Sequence, residues 1–279
     1  MTAPAGTPPT QAPRTRLMGV AIDCVTQDQA ADWICDRAAR GAGGLVVTVN
    51  LDHLRRCATD PSYADLVRRA DLVVADGMPL IWASRLQGPP LLPERVAGST
   101  MMVDLCRRAA ERALPVFLLG GDPGVADRAA RVLAERFPGF RCAGTLCPPF
   151  GFESDPAEVA RIESAVRDSR ARIVLVALGS PKQERLADRL RPVAPDACWI
   201  GVGISLSFVT GDVRRAPVWI QRIGLEWLHR LCQEPRRLFR RYIIHGIPWA
   251  ARLMTHAGVH RLTSTKPADP ADPAPRSHP

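Results

Sequence analysis

The chain lacks the short motifs that usually place a soluble protein in a class. Its eight cysteines, at 24, 35, 57, 106, 142, 147, 198 and 232, form no Cys-x-x-Cys pair, and the six histidines show no ligand spacing with them. Neither a zinc site nor a disulfide framework is expected. Several of these cysteines sit inside apolar patterns, where a reduced thiol behaves as a small hydrophobe. There is no Gly-x-x-x-x-Gly-Lys-Ser/Thr, which excludes a P-loop, and no Gly-x-Ser-x-Gly elbow. There is no Asp-x-Asp, so the usual carboxylate pair for a metal–nucleotide-sugar complex is missing. Gly120-Gly121-Asp122-Pro123-Gly124 lacks the Gly-x-Gly-x-x-Gly spacing, and no acidic residue is evident after the next strand. It suits a tight turn beside a nucleotide better than a nicotinamide site, which argues against an oxidoreductase. No metal and no cofactor are expected. No apolar run is long enough to span a bilayer, and the N-terminus has no continuous apolar stretch of the signal-peptide kind. A cytoplasmic protein is expected.

What is present is a repeated layout. The 279 residues and 46% hydrophobic content suffice for one large α/β domain and an appendage. Residues 1–16 and 263–279 are rich in Pro, Ala, Thr, Asp and Ser and are expected to be disordered tails. Between them, short apolar runs each break into a polar or glycine turn. Leu45–Val49 leads into Asn50-Leu51-Asp52-His53-Leu54. Leu72–Ala75 leads into Asp76-Gly77-Met78-Pro79. Val116–Leu119 leads into Gly120-Gly121-Asp122-Pro123-Gly124. Ile173–Leu178 leads into Gly179-Ser180-Pro181-Lys182-Gln183-Glu184, and Trp199–Gly203 is a fifth run. Helical segments alternate with them, for example Gly124–Phe137 and Pro156–Ser169. Apolar strands alternating with amphipathic helices predict a Rossmann-like, mostly parallel sheet with flanking helices. Right-handed crossovers would gather the polar turns on one sheet edge. Thr48, Asn50, Asp76, Gly120, Gly121, Ser180, Lys182 and Gln183 would then share one cleft.

Asp76 stands out because open α/β folds place their chemistry at the C-terminal ends of strands. The alternative is that it only caps the helix that begins near Met78-Pro79. Ser99 suits an N-cap, and Arg95 suits either a structural ion pair or an anion binder. In the turn after the fourth run, Ser180 suits a cap and Pro181 a first helical position; backbone N–H groups there favour an anion.

The positive charge is concentrated near the end. Of the net +9, an excess of eight lies between Val213 and Leu262: ten arginines (214, 215, 222, 230, 236, 237, 240, 241, 252, 261), no lysine, and only Glu226 and Glu234 as acids. Trp219, Ile220, Ile223, Trp227 and Leu231 fall on one helical face. Pro235 starts a further helix, with Arg236 and Arg240, and Arg237 and Arg241, each four apart. A packing helix with a solvated basic face is one reading. No helix-turn-helix or single-strand aromatic platform is legible, so nucleic acid is not an expected partner. Arginine beside tryptophan fits an anionic membrane surface or a diphosphate.

In order along the chain, Thr48–Leu54, Ala75–Pro79, Glu94–Ser99, Phe117–Gly121, Pro148–Phe152, Gly179–Glu184, Gly211–Pro217, Gly224–Trp227 and Gln233–Arg237 resemble the WecG/TagA/CpsF family of bacterial glycosyltransferases. The similarity runs over about residues 17–245. It implies a catalytic domain over 17–212 and a basic, membrane-associating appendage over 213–262. It implies an inverting, metal-independent transfer from a UDP-sugar, often of N-acetylmannosamine, its uronic acid or a related hexose. The acceptor implied is a polyprenyl-diphosphate-linked sugar, and the product would feed teichoic acid, common antigen, capsule or exopolysaccharide. The enzyme would sit on the inner face of the plasma membrane. The resemblance makes Asp76 the base, places Thr48 and Asn50 in the active site, and lines the pocket with Arg95 and Gln183. Arg214, Arg215, Arg237 and Arg240 would reach the nucleotide or lipid diphosphate. A homo-oligomer is compatible with the sequence. One departure is plain: Ile204-Ser205-Leu206-Ser207-Phe208 stands where the family usually carries a small residue, Phe and Asp, which bears on the choice of donor.

Overall fold

A computed structural model describes residues 12–222 and 224–264, without the side chains of Val218, Arg222, Arg237 and Ser264. The rest of both expected tails, Ile223 of the apolar stripe and the Arg237 side chain lie outside the described residues. The centre is a six-stranded, all-parallel sheet of β3 (Gly44–Val49), β4 (Leu72–Ala75), β5 (Pro115–Gly120), β6 (Arg141–Leu146), β7 (Ile173–Ala177) and β8 (Cys198–Gly201). Their order across the sheet is β4-β3-β8-β7-β5-β6. Five of them are the apolar runs of the sequence. They read as unbroken hydrophobic stretches because helices cover both faces. β6 is the exception: it is a half-exposed edge strand containing Gly144, with little apolar signal.

One face carries α2 (Leu51–Thr59), α3 (Pro61–Arg68), α4 (Met78–Gln87), α7 (Pro156–Ser169) and α8 (Lys182–Leu190). Leu54, Tyr63, Ile81, Ile162, Leu190 and Trp199 meet in its core. The other carries α1 (Gln27–Arg40), α5 (Gly98–Glu111), α6 (Val125–Arg136) and α9 (Ser205–Thr210), with Ile34, Met101, Leu105 and Leu133 in its core.

The expected N-terminal tail needs correction. Arg14–Leu17 forms β1, paired antiparallel with β2 (Val20–Asp23). Thr15 and Leu17 are buried, and Asp23 fixes the hairpin by accepting from Arg14 Nε at 2.6 Å and Val73 N–H at 2.8 Å. The hairpin lies beside β4 and so covers a sheet edge that would otherwise be open.

The C-terminal segment is not one continuous amphipathic helix after Trp219. Gly224, at φ +79°, separates α10 (Val218–Arg222) from α11 (Glu226–Gln233). A side chain there would collide with Met78, whose Cγ lies 2.8 Å from the added carbon, so glycine is required by conformation and by space. From Pro235 the helix is continuous to Ser264: α12 (Pro235–Phe239), a π-helical stretch (Arg240–Gly246) and α13 (Ile247–Ser264). Pro248 explains the stretch. It has no N–H for the Ile244 carbonyl and its ring crowds that turn. The helix widens instead, and Ile247 N–H bonds Tyr242 O, five residues back. α13 returns to the domain, burying Leu253 and Ala257 in the same core as Leu80 and Ile81. It ends two residues beyond the limit expected at 262. No described helix is long and apolar enough to cross a membrane.

Candidate active site

A cleft of about 1340 Å³ opens at the C-terminal edge of the sheet, roofed by the C-terminal helices. The chain leaves β3 for its neighbour β4 on one side, and β5 for its neighbour β6 on the other. Ligands in open α/β sheets bind where the order turns in this way. Thr48, Asn50, Asp76, Arg95, Gly121 and Gln183 line this one cleft, as do Ser180 and Lys182.

Asp76 extends the β3–β4 ladder by one bond, its N–H donating to Val49 O at 2.7 Å. It does not cap α4: that cap is Gly77, with no side-chain bond. Its Oδ2 instead accepts from Gly98 N–H at 3.4 Å, at the start of α5. The positive end of a helix thus faces the carboxylate. Asp76 is open to the cleft on one side and otherwise ringed by protein. Burial pushes its carboxyl above the usual carboxylate range; the Arg95 guanidinium and the Gly98 N–H pull it back, and the Glu226 carboxylate adds to the rise. A carboxylate raised in this way is a better proton acceptor near neutral pH.

Thr48 is buried beneath it. Its Oγ1 lies 3.5 Å from where a side chain on Gly98 would begin, an ordinary contact distance, so Thr48 sits directly against the start of α5. Asn50 is the N-cap of α2, its Oδ1 accepting from Asp52 N–H at 3.0 Å and His53 N–H at 3.4 Å. Gln183 is 4% exposed and committed on both ends: Nε2 donates to Glu184 Oε1 at 2.6 Å and Oε1 accepts from Gly203 N–H at 3.0 Å. Lys182 pairs with Glu153 at 2.6 Å and lies 4.9 Å over the ring of Phe150, which stands fully exposed at the cleft mouth.

Two expected caps are absent. α5 begins at Gly98 after Ala97, so Ser99 lies inside it. α8 begins at Lys182 with Pro181 at the cap position, and Ser180 contacts Tyr63 instead, Oγ to Oη at 3.3 Å. Gly120 is also displaced from its expected role. It sits behind the wall at φ +102°, where an added carbon would lie 2.6 Å from Ala177 O, while Gly121 reaches the cleft.

The arginines sort differently from the sequence. Arg95 donates to Glu226 Oε2 at 2.9 Å, and Arg215 reaches Glu226 Oε1 at 3.3 Å and Thr100 Oγ1 at 2.8 Å. Glu226, on α11, therefore ties the C-terminal helices to the pocket. Arg214 and Arg240 are exposed and outside the cleft lining. Besides Lys182, the cationic lining comes from Arg55, Arg95, Arg230 and Arg241, three of which were not among the expected site residues. Arg241 faces Asp52 at 3.9 Å because the π-helical stretch rotates the helix out of its 3.6-residue register. Burial acts to raise the Asp52 carboxyl, but Arg241, Arg56 and Arg55 together hold it below the usual range.

The glycosyl transferase WecG/TagA/CpsF family model matches residues 15–262. The chain belongs to this family. A WecG/TagA/CpsF protein is a glycosyltransferase, so its substrates are a sugar donor and an acceptor. Among the described residues, no group of three His, Cys, Asp or Glu side chains could hold a metal ion. The chemistry available to this family member at its strand ends is one raised carboxylate, hydroxyl and amide donors, and four guanidinium groups.

Proposed function

We propose an inverting, metal-independent transfer of a hexose, N-acetylmannosamine or a relative of it, from a UDP-sugar to a polyprenyl-diphosphate-linked sugar. Asp76 carries this reading: it is a raised carboxylate at the C-terminal end of β4 that lines the cleft beside a cation. It accepts the proton of the acceptor hydroxyl as that oxygen bonds to C1 of the donor sugar. The C1–phosphate oxygen bond breaks on the opposite face, and UDP leaves with the electron pair. Thr48 and Asn50 orient the hydroxyl or the sugar. The charge on the leaving diphosphate is met by Arg55, Arg95, Arg230 and Arg241 and by the turn that opens α8, in place of a metal. Ile204–Ser207 line the cleft after β8, so the departure from the family pattern sits where a donor would be selected.

The C-terminal helices bring the enzyme to the inner face of the plasma membrane. Trp219, Phe239, Ile244, Ile247 and Leu262 are each more than half exposed, among the arginines of that segment. Near an anionic leaflet each arginine contributes about 1 kcal/mol, and apolar side chains insert at the boundary. The test is UDP release from a panel of UDP-sugars with a short-chain polyprenyl-diphosphate-N-acetylglucosamine, with and without EDTA and anionic vesicles. Acceptor-dependent release from one donor, unaffected by EDTA, is expected. Release that EDTA abolishes contradicts the metal-independent mechanism, and no release with any donor contradicts the substrate assignment.

A further inference from the structure

Beneath the cleft runs a buried polar chain that no step of the transfer uses directly. Gly203 N–H donates to Gln183 Oε1 at 3.0 Å, and Gln183 Nε2 donates to Glu184 Oε1 at 2.6 Å. The same Glu184 oxygen faces His53 Nε2 at 3.3 Å, and His53 Nδ1 lies 2.8 Å from Asn50 Oδ1. His53, Gln183 and Glu184 are 2–4% exposed. The chain joins the exits of β8 and β3 across the floor of the site.

Hydrogen bonds fix the orientation of the Asn50 amide, while Glu184 Oε2 stays buried without a partner among the described residues. Asn50 Oδ1 accepts from two main-chain N–H groups of α2, Asp52 and His53. Reversing the amide would set NH₂ against those donors, so the oxygen must face the helix. His53 Nδ1 lies 2.8 Å from that oxygen and accepts from the Asn50 N–H at 3.3 Å in the capping box of α2, so the ring is seated against both ends of Asn50. At its other end the ring faces the Glu184 carboxylate. With Oδ1 turned to the helix, Asn50 Nδ2 is left without a protein partner among the described residues, on a side chain that lines the cleft.

We propose that the His53–Glu184 pair positions Asn50 for the transfer, holding its amide so that Nδ2 presents its N–H groups to the substrate. His53 and Glu184 touch no substrate; they act through Asn50. The inference rests on the reading of Asn50 as a substrate-facing residue. It explains why a polar chain is tolerated in a core where an unpaired carboxylate would be costly. Other groups around the ring are consistent with it: Tyr63 lies 6.1 Å away, centroid to centroid, and bonds Ser180 rather than competing for Asn50.

The experiment is a set of variants assayed by UDP release with UDP-N-acetylmannosamine and the short-chain acceptor, with thermal unfolding as the folding control. Asn50→Asp keeps the cap and replaces the Nδ2 donors with a charged oxygen. It should hold its Tm and lose about 10²-fold in kcat, the usual cost of one aimed donor. His53→Phe/Glu184→Gln keeps the bulk and leaves no lone buried charge. It should lose about 10²-fold in kcat, as misplaced catalytic groups do, with KM changed by less than about 3-fold. Added to Asn50→Ala, the pair should cost less than about 2-fold more, because both act through one amide. Glu184→Gln alone should lower kcat, but by less than the pair variant, since the ring itself still packs against Asn50. Losses that multiply in the triple variant, or a folded His53→Phe/Glu184→Gln variant with full kcat, would overturn the positioning role. Full kcat in Asn50→Asp would overturn it even if the pair variant does not fold. Full activity in Asn50→Ala would remove the reading of Asn50, and this inference with it.

Discussion

Glu226→Gln separates the hold of the C-terminal helices from the stability of the sheet. Glu226 meets Arg95 at 2.9 Å and Arg215 at 3.3 Å, with Glu226 and Arg95 each 16% exposed and Arg215 24%. Two unit charges about 4 Å apart at an effective dielectric of about 20 attract by roughly 4 kcal/mol, before the cost of leaving water. After that cost, hydrogen bonds to charged groups at partly buried sites contribute about 1.5–3 kcal/mol. The more exposed Arg215 contact adds about 0.5 kcal/mol. Glutamine has the same shape, but its NH₂ would face one of the two guanidinium groups, so about 2–3 kcal/mol is lost. The loss falls on α11, because Glu226 makes both contacts from that helix. Hydrogen exchange followed by mass spectrometry should show the α11 amides opening about 30- to 150-fold faster, at 1.4 kcal/mol per tenfold, with β3, β7 and β8 unchanged. The variant also removes a negative charge that raises the Asp76 carboxyl, so the acid limb of the kcat/KM profile should move to lower pH. Unchanged exchange in α11, or an equal rise in α11 and the sheet, would refute the reasoning.

Gly120→Ala places a carbon 2.6 Å from Ala177 O at φ +102°, so strain and overpacking together should cost about 2–4 kcal/mol, read as a lower denaturant midpoint. Gly201→Ala puts a carbon 2.5 Å from Gln183 Nε2 and 2.8 Å from its Cδ, a buried amide bonded at both ends, so overpacking should cost about 1–3 kcal/mol and release the amide from Glu184; Tm and kcat should both fall. Arg241→Ala should raise KM about 10-fold, whereas Arg240→Ala, outside the cleft, should change it less than about 2-fold. For the Asp76 carboxyl, raised in the folded protein, the native state binds its proton more tightly than the unfolded chain does. Its contribution to stability is therefore present below the ordinary aspartate range and is lost as pH rises through the raised value. Asp76→Asn should melt higher than the parent at pH 7–8, with the gap closing in acid.

The sheet was legible in sequence because five strands are buried on both faces, which turns each into an unbroken apolar run that ends at a polar turn. Asp76, Thr48, Asn50 and Gln183 could be placed on one edge for the same reason. β6 was not legible because an edge strand with Gly144 carries half the apolar signal. The β1–β2 hairpin was hidden because two of its buried positions, Thr15 and Asp23, are polar and carry no apolar signal; Asp23 is held by Arg14 and the Val73 N–H. The C-terminal arginines were harder. A period of 3.6 residues cannot predict which of Arg237, Arg240 and Arg241 faces the cleft once Pro248 has widened the helix before it. Arg55 was passed over because, next to Arg56 on a short helix, it resembles a solvated pair. Glu226 could not be matched to Arg95 because the two are 131 residues apart and meet only through the fold.

The central claim is that Asp76 removes the acceptor proton. The direct test is Asp76→Asn, with UDP release measured beside UDP-sugar binding by calorimetry. A general base is worth about 10²–10⁴-fold, so turnover should fall by about that factor with the dissociation constant within about 3-fold of the parent. Turnover retained in a folded Asp76→Asn protein would contradict the account.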